Sequence, residues 1–179
     1  MKLLKQSLIF FIFFTFVLGG LYPAFVMGVS NVFFKGKASG EIIEINQEKR
    51  GAKLIGQEFT EDKYFWGRPS AAHYNASAST GSNYSLTSKV YQDLVAERKK
   101  KGLDFDLLEA SASGLDPHIS LRAALSQVPR VAKVRGIDEK SLATIVKHHL
   151  EERQFGLLGE ERVNVLLLNL AVEGIGKNE

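Results

Sequence analysis

The stretch from Ser7 to Val29, SLIFFIFFTFVLGGLYPAFVMGV, decides the architecture of this chain. It is built almost wholly from Leu, Ile, Phe, Val and Gly, and no charged residue stands between Gln6 and Phe34. At about 1.5 Å per residue, a helix of this length crosses the ~30 Å hydrocarbon layer of a bilayer. A cleaved signal peptide has an apolar region of about 7–15 residues closed by a small-x-small site. This segment is longer and has no convincing site of that kind, so it reads as a retained transmembrane helix. Lys2, Lys5 and the α-amino group precede it, whereas Lys35 and Lys37 beyond it are mixed with Glu41, Glu44 and Glu48. A very short basic leader before a first membrane helix ordinarily stays inside, which puts the N-terminus in the cytoplasm and the rest of the chain outside. Gly19, Gly20, Gly28 and the Tyr22-Pro23 pair suit close helix contact inside a membrane complex.

Outward from that span, the chain divides into a leader (1–6), the transmembrane helix (7–29), a connector (30–40), an extracytoplasmic soluble domain (41–173) and a short tail (174–179). With 179 residues, 45% of them hydrophobic, and 23 basic against 20 acidic side chains, the composition is that of one ordinary folded domain behind an anchor. The net charge of +3 is small, and Lys2 and Lys5 supply much of it, so there is no electrostatic footprint for nucleic acid. The absence of cysteine excludes a disulfide scaffold, a Cys-based zinc site and a thiol enzyme.

The soluble region reads as α+β, a single small mixed α/β domain. Glu41 to Ile45 and Lys53 to Ile55 are short strand-like runs bounded by Gly51 and Gly56. Phe59 to Leu86 has few regular signals yet holds Tyr64, Phe65, Trp66, Tyr74 and Tyr84, more aromatic surface than a solvated linker carries. It is expected to be an ordered loop. Ser88 to Lys101 has Tyr91, Leu94, Val95 and Arg98 on one face and predicts an amphipathic helix ending at Gly102. Its Arg98-Lys99-Lys100-Lys101 run fits a solvated last turn. Ser120 to Arg135 predicts a second helix, kinked or split at Pro129. For the third, Asp138 is the N-cap, Ile137 and Leu142 form a hydrophobic staple, and Leu142, Ile145, Val146, His149 and Leu150 make the apolar stripe. His149 there reads as a packed histidine. Val163 to Val172 is apolar nearly all round, which suits a buried helix or a central strand, and helix is the choice made.

The residue types of a hydrolase are present in Ser113-Gly114-Leu115-Asp116-Pro117-His118, but the G-x-S-x-G pentapeptide of a nucleophile elbow is not. Asp116 before Pro117 has a simpler explanation as a turn or helix-capping residue. His148 and His149 are adjacent and diverge by about 100° on a helix, so they cannot supply two ligands to one metal as an i, i+4 pair does. No P-loop sequence occurs. Catalytic and metal-ligating residues are therefore expected to be none, and a membrane-anchored extracytoplasmic hydrolase is the alternative reading.

Several strings taken together resemble one family. They are Tyr64-Phe65-Trp66-Gly67-Arg68-Pro69-Ser70, Gly81-Ser82-Asn83, Ala110 to Ser120, Gln127-Val128-Pro129-Arg130-Val131-Ala132, and Arg162 to Leu166 with Leu168-Asn169-Leu170. In this order, behind a single N-terminal membrane helix, they look like the C subunit of the Kdp-type potassium-transporting ATPase. The chain departs from the family at Tyr84-Ser85-Leu86-Thr87, where a Leu followed by a Pro-Thr-Asn-like stretch is usual. The resemblance implies an inner-membrane, non-catalytic accessory subunit of a potassium pump. Its implied partners are a channel-like potassium-translocating subunit, a P-type ATPase subunit and the lipid bilayer. It also implies a catalytic-chaperone effect, raising the ATP affinity of the ATPase subunit, with Gln127 as the nearest match to a glutamine proposed to contact ATP. A domain outside the cell cannot reach cytoplasmic ATP, so that implication conflicts with the expected topology. Arg68, Ser82, Asn83, Ser113 and Asp116 either fix loop shape by bonding one another or dock a loop on the channel-like subunit, with Arg68 as charged and Trp66 as apolar anchor.

Overall fold

The computed structural model describes residues 1–45, 47–103 and 105–175, and the last four positions of the expected tail lie outside the described residues. The chain separates into two compact units, Met1–Ala52 and Lys53–Glu179.

The first unit is led by α1, a helix over Lys2–Phe33, the one described helix long and apolar enough to cross a membrane. Its apolar side chains are exposed along its whole length, as a lipid-facing surface requires. Within it, Val17–Leu21 widens to π-type winding. The cause lies just ahead, because the Pro23 ring would strike the carbonyl four residues back, that of Gly19, and the wider turn at Gly19-Gly20 relieves that crowding. A single helical turn at Lys35–Ala38 follows, and then a hairpin of β1 (Ile42–Ile45) and β2 (Glu48–Ala52). The second strand expected at Lys53 to Ile55 is thus displaced. Ile45 pairs directly with Glu48, so the return strand is the polar run Glu48-Lys49-Arg50, and residues 53–55 form a turn. Glu48, Lys49 and Arg50 are exposed, so this strand carries no apolar alternation to announce it.

The second unit is an α+β domain with four described α-helices and a three-stranded sheet. Its helices are α2 (Lys89–Lys100), α3 (Leu121–Arg135), α4 (Glu139–His148) and the C-terminal α5 (Val165–Ile175), and α2 stands apart from the other three. A small antiparallel sheet has the order β3 (His118–Ile119), β5 (Arg162–Asn164), β4 (Leu150–Glu151). Side-chain caps set the helix starts: Ser88, Ser120 and Asp138 accept from the backbone N–H of Tyr91, Ala123 and Ser141. Gly136, at φ +68°, ends α3 in the left-handed conformation. The Ile145 carbonyl is 2.9 Å from His149 Nδ1, so this histidine is satisfied within its own helix.

Two further expectations are corrected. Pro129 does not split α3, which runs unbroken through it. The proline lies on the exposed side, while Gln127, Val128, Val131 and Ala132 around it are buried, and their packing holds the helix across the missing hydrogen bond. The apolar run from Val163 is both strand and helix. Val163 and Asn164 belong to β5, and the Asn164 side chain then accepts from the Leu167 N–H at 3.1 Å, which starts α5. Both halves are buried, so their apolar character is continuous across the switch.

The core collects Val131 and Val128 of α3, Leu142 and Val146 of α4, Leu168 and Val172 of α5, Val163 of β5, and Phe65 from the long loop. Phe65 is fully buried, so the expected ordered loop is part of the core. Pro129→Ala restores a backbone donor to an exposed helix position. It is expected to raise the thermal midpoint of the full chain in detergent, followed by circular dichroism, and a lowered midpoint would show that α3 needs the proline.

Candidate functional site

The loop from Glu61 to Ser70 has no regular partner strand, yet its backbone polar groups near Phe65 are buried and must bond to something. Two carboxamides provide for them. The Phe65 N–H donates to Asn169 Oδ1 at 2.8 Å, and Asn169 Nδ2 donates to the Phe65 carbonyl at 3.0 Å. One residue on, the Trp66 N–H donates to Gln127 Oε1 at 2.9 Å, and Gln127 Nε2 donates to the Trp66 carbonyl at 3.1 Å. Each amide thus acts as a one-residue β-strand, and both are buried.

Arginines of α3 complete the grip. Arg130 donates to the Asp62 carbonyl and, at 2.7 Å, to Gln127 Oε1, and its guanidinium lies 3.6 Å from the centre of the Trp66 ring. Burial lowers the Arg130 pKa, and Asp62 partly counters this. Arg135 donates to the Lys63 carbonyl. The Trp66 Nε1–H donates to the Glu61 carbonyl. The Gln-Val-Pro-Arg string of α3 therefore serves the Tyr-Phe-Trp string of the loop.

The other motif loops lock together beside it. Gly114, at φ +70°, sits where an added Cβ would fall 2.7 Å from the Thr80 carbonyl, so only glycine fits. An added Cβ at Gly81 would lie 3.0 Å from the Ala112 carbonyl, so the Gly81-Ser82-Asn83 and Ala110 to Ser120 strings meet backbone to backbone. Ser70 Oγ donates to the Gly114 carbonyl, and Ser113 Oγ shares a bond with Ser111 Oγ at 3.1 Å and accepts from the Leu115 N–H. Among the described contacts, Ser113 bonds no histidine. Asp116 makes the expected turn, accepting from the His118 N–H at 3.0 Å, while the cap of α3 is Ser120.

Arg68 Nη1 lies 3.4 Å from Asp116 Oδ2. His118 is flanked by Asp116 at 3.7 Å and Glu151 at 3.8 Å, and Glu151 accepts from Arg162 at 2.9 Å. Arg68, Asp116, His118 and Arg162, with Asp106, Glu160 and Glu161, border a cleft of about 290 Å³. Burial works against ionisation of Asp116, but the His118 side chain and backbone N–H, together with Arg68, outweigh it and hold the carboxyl below 3.8. Burial and the carboxylates of Glu58 and Asp116 push the Tyr74 phenol up to about 12. That hydroxyl donates to the Arg68 carbonyl. A second hollow of about 390 Å³ lies between the loop and α2, lined by Ser70, His73, Ser82, Tyr84, Tyr91 and Arg98. Asn83 is exposed, at φ +53°. Among the described residues no group of three or more His, Asp or Glu is arranged to hold a metal ion.

The structure thus brings Arg68, Ser113 and Asp116 to one neighbourhood, Ser82 to the adjoining hollow, and Gln127 and Trp66 to the clamp. Both polar atoms of Gln127 are engaged by the Trp66 backbone. Asn169, Arg130, Tyr74 and His118 carry as much of the geometry and had no assigned role in the sequence. A lone asparagine in the apolar run Val165 to Val172 is the signal for one of them, since a buried amide demands partners.

One helix long and apolar enough to cross a membrane, ahead of an α+β domain whose loops are fixed by its own buried amides, defines the class of protein. The family model described as KdpC, K+-transporting ATPase, c chain, matches residues 4–174. A protein named potassium-transporting ATPase KdpC subunit from Geobacter metallireducens is 46% identical over 182 residues, covering 95% of this chain and 96% of its own length. One of the same name from Caldanaerobacter subterraneus subsp. tengcongensis is 39% identical, covering 94% and 93%. The chain belongs to the KdpC family, the c chains of K+-transporting ATPases.

Asn169→Ala strips both partners from the Phe65 backbone, at about 1–3 kcal/mol per unsatisfied group, and is expected to lower the thermal midpoint far more than Gln92→Ala on the exposed face of α2. The pH response has two limbs. Asp116, depressed when folded, stabilises above its unfolded value near 3.9 and loses that contribution as pH falls through the lower folded value. Tyr74, raised when folded, contributes fully below pH 10.0 and loses it as pH rises towards about 12. Midpoints measured against pH should therefore show a flattened acid limb for Asp116→Asn and a flattened alkaline limb for Tyr74→Phe.

Proposed function

We propose that this chain is a non-catalytic accessory subunit of an ATP-driven potassium pump, held by one membrane helix with its N-terminus in the cytoplasm and its folded domain outside. The observation that carries this is the match to the c-chain family over nearly the whole length, membrane helix and motif loops included. Its partners on this reading are the channel-like potassium-translocating subunit and the P-type ATPase subunit of the same complex. The topology rests on the short leader with Lys2 and Lys5.

Any rise in the ATP affinity of the ATPase subunit is then indirect. With its amide engaged by Trp66, Gln127 shapes the loop that the domain presents, and the effect on ATP passes through the assembled complex. Arg68, Ser113 and Asp116 fix loop shape with it, and Trp66 is held by Arg130. The exposed Asn83 and the hollow beside Ser82 are the parts of these loops open to a partner.

Two measurements test this. A tagged chain should bring down the other pump subunits from solubilised membranes, and omitting it should lower pump activity at limiting ATP. Ser79 is exposed, so Ser79→Cys should react with a membrane-impermeant thiol reagent in cells whose outer membrane alone is permeabilised. Labelling that requires lysis of the inner membrane would reverse the orientation and restore direct contact with ATP.

A further inference from the structure

The connection from β4 to β5 reads Glu152-Arg153-Gln154-Phe155-Gly156-Leu157-Leu158-Gly159-Glu160-Glu161. At its tip Phe155 is 92% exposed, Leu157 80% and Leu158 60%. No other apolar side chains described in the folded domain are as open to water as the first two. The tip is nevertheless well built. Gln154 and Leu158 exchange two backbone hydrogen bonds of 2.9 Å, and the Leu157 and Gly156 N–H groups donate to the Gln154 and Arg153 carbonyls at 3.1 Å. Phe155 at φ +55° and Gly156 at φ +73° are consecutive left-handed residues, as a tight hairpin turn requires. Asparagine or glycine enters that conformation readily, whereas a bulky ring does not. A phenylalanine held there and left uncovered by the described residues answers to a contact outside the chain.

The surrounding charge selects the kind of contact. A tip that enters an anionic lipid surface is flanked by lysine and arginine. Here the flank carries exposed Glu152, Glu160 and Glu161 against Arg153, and Arg162 is bonded to Glu151 at 2.9 Å. An acidic collar around an apolar tip fits a protein socket that is apolar at its floor and basic at its rim.

We propose that this turn is an apolar finger that plugs into such a socket on another subunit of the pump, with Phe155 as its central anchor. The proposal rests on the accessory-subunit reading above. Three side chains bury too little surface to hold a complex alone, against the ~1,000 Å² of a stable interface. The finger works because the membrane helix already confines the two subunits to one another's neighbourhood, which raises their effective concentration.

The test uses the full-length tagged chain expressed together with the other pump subunits. With a benzophenone-bearing residue in place of Phe155, irradiation should give a covalent adduct with another pump subunit. The same residue in place of Lys140, on the exposed face of α4, should give none. The double variant Phe155→Ser, Leu157→Ser should bring down about tenfold less of the pump while keeping the wild-type thermal midpoint, since both side chains are almost wholly exposed. Adducts only with lipid or only with a second copy overturn the finger, and so does undiminished recovery by the double variant. If the wild-type chain itself brings down no pump subunit, the accessory-subunit reading fails and the finger with it.

Discussion

Two side-chain amides carry the architecture of the folded domain. Asn169 and Gln127 come from different helices, and each occupies the N–H and the C=O of one residue in a loop that has no strand beside it. Without them, Phe65 could not bring its ring into the core, because its own backbone would arrive there unbonded. With them, an irregular stretch is held as firmly as a central strand. Arg68, Pro69 and Ser70 then leave the clamp in a fixed direction, and the loops around Gly81 and Gly114 close against Ser70 and one another.

The second consequence is electrostatic. The clamp directs Arg68 towards Asp116, and the turn at Asp116 brings His118 between two carboxylates, with Glu151 tied in turn to Arg162 and facing Lys53. One continuous line of polar contacts, Arg68 to Asp116 to His118 to Glu151 to Arg162, therefore links the clamp loop to all three strands of the small sheet. Its members are partly exposed, so each pair is individually weak, and the value of the line is directional: it orients loops that packing alone would leave free to rotate.

What could be read beforehand follows from where the information resides. The long N-terminal apolar helix, the helix at Ser88 and the cap at Asp138 are local patterns of apolar spacing and capping, and they stand in the structure as the sequence implies. The hairpin strand at Glu48 was illegible because both its faces meet water and carry no alternation. The break at Val165 was illegible because a strand and a helix buried equally look alike, and the residue that divides them, Asn164, acts through a side-chain bond to Leu167. The motif residues were visible as a set, but their pairing was not. Nothing local to Gln127 states that it will bond to Trp66, 61 positions away, or Asn169 to Phe65 across 104. Long-range amide contacts leave no periodicity behind.

That last separation has a bearing on how the protein is made. The clamp loop is synthesised early, but Asn169, which completes its backbone bonding, lies about a hundred residues later in α5. Domains commonly fold in the order in which they emerge during synthesis. This one is constrained to wait: Gln127 can take up the Trp66 backbone once α3 is made, but the Phe65 backbone stays without its partners until the first turns of α5 have been added. A chain that stops before α5 therefore lacks both partners of the Phe65 backbone, and with them Leu168 and Val172 of the core.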